Sequence, residues 1–116
     1  MAVDNIYSVY DLIEKIYDAK VSVEDPTTNL SIGTSDLIIA QTNPRRIALV
    51  IVNLSSNIVY IKPKAPASST SGIRLAPSGG SVSMNFTTDL HLPAQEWHAI
   101  ASGAGSAIYI TSVVLR

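Results

Sequence analysis

The sequence predicts a mainly β domain, an antiparallel β-sandwich or jelly-roll-like barrel with one short N-terminal amphipathic helix. Three observations predict it. After residue 29, short runs rich in β-branched residues alternate with clusters of Gly, Pro, Asn and Ser, at the spacing of sandwich strands. The only helical periodicity lies before Lys20. Nothing between the runs resembles the long crossover that parallel strands require. The chain divides accordingly into an N-terminal helix and arm, residues 1–23, and a β-sandwich domain, residues 24–116.

The helix comes first. Ile6, Val9, Tyr10, Ile13, Ile16 and Tyr17 recur at intervals of three and four and so line one face, with Asp11, Glu14, Lys15 and Asp18 largely elsewhere. Asp4 and Ser8 are the candidate starts; Ser8 and Asp11 have capping-box spacing, with Tyr7 and Leu12 placed as the flanking staple. Ile6, Val9, Ile13 and Ile16 also match the a and d positions of two heptads, too short for an independent coiled coil but enough to line a symmetry axis. The stripe has two readings: it packs on the chain's own β-domain, or it packs on another copy. Residues 24–29, with Pro26 flanked by acidic and hydroxyl side chains, form the expected turn or hinge.

Strands are expected at 21–23, 29–32, 36–40, 46–53, 58–62, 72–75, 81–86, 97–101 and 107–115. The run 46–53 is apolar on both faces, so it must be covered twice. With 58–62 beyond a four-residue polar turn, it reads as a hairpin. Alternation assigns Ile47, Leu49 and Ile51, with Ile61, Ile100, Ile108 and Ile110, to the core. Ala48, Val50 and Val52 then fall on the opposite face, for a helix, a loop or a second copy to cover. Residues 79–81 and 103–106 read as hairpin turns, and the long Pro- and Ser-rich stretch 63–72 as a surface loop.

Composition narrows the function classes. Hydrophobic residues are 47% of the chain and charged residues only 15%, a low charge density for a surface that must remain monomeric, and association relieves it. A net charge of -1 gives no pull toward nucleic acid or an acidic membrane. With no cysteine, neither a disulfide nor a thiolate metal site is possible. Asp4, Asp11, Glu14 and Asp18 interrupt any secretion signal, and no apolar run reaches bilayer length.

Few side chains group in a pattern that suggests chemistry. His91, Glu96 and His98 are the one group with metal-ligand side chains, but Pro93 breaks the segment and no fourth ligand is evident, so solvated or hydrogen-bonded histidines are expected and no metal. There is no nucleophile elbow and no phosphate-cradling Gly loop before a helix, so no enzyme and no cofactor is expected. Arg45 and Arg46 are read as a solvated strand edge, with an anion grip as the alternative. Asn29, Asn53 and Asn85 head Asn-x-Ser/Thr triplets, which matter only in a secreted protein. Trp97 is read as a core plug or an inter-subunit anchor, and less as a sugar platform.

The order of these segments adds a resemblance. Asn43-Pro44-Arg45-Arg46 leading into strand 46–53, then Ile58-Val59-Tyr60-Ile61, Gly72-Ile73-Arg74-Leu75, Gly79-Gly80-Ser81-Val82 and Trp97-His98-Ala99-Ile100-Ala101 before Ala107-Ile108-Tyr109-Ile110, resembles small β-sandwich modules of tailed-phage and related virion structural proteins. It spans residues 43–114; Ser78 and the stretch 90–95 are insertions against that pattern. The resemblance implies a non-enzymatic virion component: a capsid decoration protein, a head fibre or a tail accessory protein, binding symmetrically to other virion proteins. A homo-oligomer, with a trimer favoured, is expected from it and from the spacing of Ile6, Ile13 and Ile16. The expected interface residues are Ile6, Val9, Ile13, Ile16, Ala48, Val50, Val52 and Trp97. The competing reading is a receptor- or carbohydrate-binding module of a phage fibre or tail, with Tyr60, Trp97 and Tyr109 as its exposed aromatics.

Overall fold

A computed structural model describes residues 7–25, 29–64 and 66–116. Ile6, the alternative helix start at Asp4, and the middle of the expected hinge, residues 26–28, lie outside the described residues. Helix α1 is Val9–Tyr17, and strands β1 to β9 are Val21–Glu24, Leu30–Ile32, Leu37–Ala40, Arg46–Asn53, Val59–Pro63, Ile73–Leu75, Ser81–Asn85, Trp97–Ala101 and Ser106–Leu115. Two short elements that the sequence pattern did not suggest fall between β7 and β8: helix α2, Phe86–Asp89, and a 3-10 turn, Leu92–Ala94. The expected strand 81–86 stops one residue early because Asn85 becomes a helix cap, accepting from the amides of Thr87 and Thr88 at 3.1 Å each.

All strand pairs are antiparallel. The first sheet runs β1-β9-β4-β7, with β2 also on β9; the second runs β3-β8-β5-β6. β1 pairs with residues 112–115 of β9 and β2 with residues 106–108, so the two form one interrupted edge strand. β1 also continues the first sheet across the expected division at residues 23 and 24. From β2 to β9 every connection except β5 to β6 passes from one sheet to the other, which is the jelly-roll arrangement.

This topology corrects the hairpin expected at the centre of the chain. β4 pairs with β7 and β9, while β5 pairs with β6 and β8, so residues 54–58 arch between the layers. The turns at 79–81 and 103–106 are likewise parts of arches and not hairpins. Asn53 supplies the physical reason at the first arch. It is fully buried; its Nδ2 donates to the carbonyls of Asn57 (2.7 Å), Leu75 (3.2 Å) and Ala76 (3.1 Å), and its Oδ1 accepts from the amide and hydroxyl of Ser55. One side chain thus satisfies backbone groups of two crossings that a flat hairpin would leave elsewhere. Asn57 extends the tie to the third crossing through the Ser106 hydroxyl, which donates to Gly103. Position 80 must be glycine, because a Cβ there would lie 2.3 Å from the amide nitrogen of Ala76.

The core lies between the sheets and includes Ile32, Leu49, Ile51, Ile61, Trp97 and Ile108; Ile110 packs half-buried against it. Two of the expected core residues are elsewhere. A bulge between Arg46 and Ala48 breaks the alternation, so Ile47 leaves the core and Arg46 turns inward. Ile100 alternates with Ala99 and Ala101, which fill the core, and so faces outward. Arg46 is therefore neither a solvated edge nor an anion grip. Its guanidinium donates to the carbonyls of Pro93 (2.6 Å), Gln41 (2.8 Å) and Gln95 (2.9 Å), tying the 41–45 and 86–96 connections at the opposite end of β4 from Asn53.

Candidate functional site

Helix α1 is set by its ends. Ser8, extended at φ -152°, caps it by accepting from the Asp11 amide at 3.2 Å, and Asp11 Oδ2 accepts from the Tyr7 amide at 3.1 Å. Asp11 in the first turn and Lys15 in the last complement the helix dipole, and Asp18 ends the helix in the left-handed region at φ 51°. Between these caps the amphipathic stripe is real but uncovered. No residue of α1 is buried; Val9 is 68% exposed, Ile16 62% and Tyr10 59%. Ile13 and Tyr17 face a cleft of about 610 Å³ that Val21, Ile47, Phe86 and Leu115 also line, and Tyr17 meets Phe86 edge to face at 5.8 Å. The displaced Ile47 is thus part of the helix's seat.

Ala48, Val50 and Val52 lie on the outer face of the first sheet, each half-buried, as alternation requires. The register adds Asn85 and Val113 beside Ala48, Ser83 and Thr111 beside Val50, and Ser81 and Tyr109 beside Val52. None of these carries a charge. Asp25 reaches the rim, accepting from the Tyr109 hydroxyl. An apolar helix stripe and an uncharged sheet face therefore meet at one end of the first sheet.

Trp97 corrects its place among the expected interface residues. It is 1% exposed, in the core, and its Nε1 donates to the Leu92 carbonyl at 2.9 Å, so the 3-10 turn fixes the ring and no partner can reach it. Tyr60 lies on the second sheet and Tyr109 on the first, so the three aromatics form no shared sugar platform. Asn53 is buried and so closed to a glycan, whereas Asn85 is exposed and caps α2 through its Oδ1.

The histidine group is regrouped. His91 is exposed beside the cleft, whereas His98 is buried on the outward side of β8. Its Nδ1 lies 2.7 Å from Asp36 Oδ2 and its Nε2 2.5 Å from Glu96 Oε1. Asp36 is the member that sequence reasoning missed; it stands 62 residues away and no local pattern joins it to His98. With one carboxylate on each ring nitrogen, the three groups cannot turn their donors toward a common ion, and no cluster suited to a metal occurs among the described residues. Burial opposes charge on His98, but the bonds to Glu96 and Asp36 outweigh it and raise its pKa. Burial likewise opposes ionisation of Asp36, and the Ala67 amide with His98 and Lys62 overcomes it, holding that carboxyl below its usual range.

No family model and no curated protein sequence matches the chain. Among solved structures, a subunit from work on Bacillus endospore appendages, described as a family of disulfide-linked pili, has a similar fold: TM-score 0.50 at 10% identity, over 84% of this chain and 89% of that one. At that identity the likeness speaks to the β-sandwich fold alone. Among the described residues, no helix is long and apolar enough to cross a membrane.

Proposed function

We propose that this protein is a non-enzymatic structural component of a virion, which self-assembles and attaches to the particle as a capsid decoration or a head or tail accessory protein. The observation that carries the reading is the uncovered stripe of α1. A helix of nine residues is below the length of about 12 to 15 that holds by itself in water, so it needs packing on a neighbour. Its own domain offers a cleft to Ile13 and Tyr17, while Val9 and Ile16 stay more than half exposed. Val9, Ile13 and Ile16 keep the a/d-like spacing that lets copies meet around an axis, with three copies favoured. The uncharged face bearing Ala48, Val50 and Val52 meets a second copy without like-charge repulsion. The jelly roll serves viral capsids among other roles, and the similar fold described as forming pili lends support to repeated self-contact. Disulfide linkage does not carry over, since this chain has no cysteine.

Light scattering at several concentrations tests the assembly. The expected mass is a small multiple of 12.3 kDa, falling to that of one chain in Ile16→Asp with the β signal of the far-ultraviolet spectrum retained. A single-chain mass for the parent protein at tens of micromolar defeats self-assembly. Co-sedimentation with purified capsids or tails tests the virion role separately, and absence of binding removes it.

A further inference from the structure

We propose that Asp36, His98 and Glu96 form a proton-dependent latch, which holds the loop of residues 66–71 to the second sheet while the His98 ring carries both of its protons. Each ring nitrogen faces a carboxylate oxygen, at 2.7 Å for Asp36 and 2.5 Å for Glu96. Ionised carboxylates only accept, so both contacts are hydrogen bonds only when the ring is imidazolium. A neutral ring turns a lone pair toward one carboxylate whichever tautomer it adopts.

The same two acidic residues hold the loop backbone. Asp36 Oδ1 accepts from the Ala67 amide at 2.7 Å, and the Glu96 carbonyl accepts from the Lys64 amide at 3.0 Å. Ala67 is itself buried, while Pro66, Ser69, Thr70 and Ser71 around it are exposed. The loop's deepest anchor is therefore a carboxylate whose counter-charge is His98.

The charged groups around the ring come from three places: Asp36 in the crossing before β3, Glu96 just before β8, and Lys62, the register partner of His98 on β5. On β3 the paired residue is Ile38, which brings no charge. Two carboxylates thus face two cations, and loss of the ring proton leaves the negative charge in excess. The sign follows from the raised pKa of His98: the latch is fully engaged below the ordinary histidine value of 6.5 and is lost as pH rises through the higher folded value. On the acid side it holds until pH falls through the lowered pKa of Asp36, below 3.8. The latch therefore opens on the alkaline side.

Nuclear magnetic resonance on the full chain tests it, following the His98 ring and the exchange protection of the Ala67 amide from about pH 6 to 9. With intrinsic base catalysis divided out, protection at Ala67 should fall by about fivefold or more as Asp36, still ionised, loses the cation that holds its carboxylate in place. Its midpoint should coincide with the ring titration, and amides of β4 should not change. His98→Gln should show protection that is independent of pH. Glu96→Gln, a milder change at a half-exposed position, should move the ring titration and the loop release to lower pH together. Protection that stays flat while the ring titrates overturns the proposal, as does a ring that keeps one protonation state over the range, or a Glu96→Gln shift that the loop does not follow.

Discussion

Asn53 and Arg46 stand at the two ends of β4, and each satisfies three backbone carbonyls from connections distant in sequence. Neither was legible as a structural residue. Asn53 sits in a triplet that suggests a surface acceptor, and Arg46 follows another arginine at the start of a strand. At this scale the chemistry of the amide is decisive. Asn53→Ala should lower stability by roughly 2 to 5 kcal/mol, because it leaves buried carbonyls without donors. Asn53→Asp should be worse, since it sets a carboxylate against those same carbonyls. Denaturant midpoints of the two variants check this; an Asn53→Asp midpoint above that of Asn53→Ala would mean that the lost packing, and not the lost donors, sets the cost.

At the scale of the element, β4 shows how one bulge redistributes a strand. Strict alternation puts Ile47 and Ile51 on the same face, whereas the bulge leaves Ile51 fully buried and sends Ile47 to the cleft beneath α1. Ile51→Ala is expected to cost roughly 2 to 5 kcal/mol, and Ile47→Ala distinctly less, because the latter side chain is already part-solvated. Chemical denaturation of both variants gives the comparison. Helix α1 makes the complementary point: its existence, its Ser8 cap and its stripe were all readable, while what the stripe contacts was not.

Across the whole molecule, the repeated crossings make the two sheets interdependent. Neither layer can separate while the 33–36, 54–58, 76–80 and 102–105 connections link them, and Asn53, Asn57 and Ser106 join three of these crossings through side chains. Unfolding should accordingly be a single cooperative transition. Fluorescence of Trp97, buried on the second sheet, and the far-ultraviolet β signal of both sheets should give one midpoint. Fluorescence changing first would mean that the second sheet opens alone.

The sequence by itself determined where the strands lie, that one helix precedes them, and that the fold is a β-sandwich. Those features rest on alternation, turn residues and capping, all of which act within a few neighbouring residues. It also determined that Ala48, Val50 and Val52 share a face opposite the core, since alternation over a regular stretch does not depend on which strand pairs alongside. Only the tertiary structure decided that β4 and β5 belong to different sheets, that Trp97 is closed to partners, and that His98 meets Asp36. Each depends on groups brought together from distant segments, and a period-two pattern is the same whether the next strand returns beside its neighbour or crosses to the facing layer.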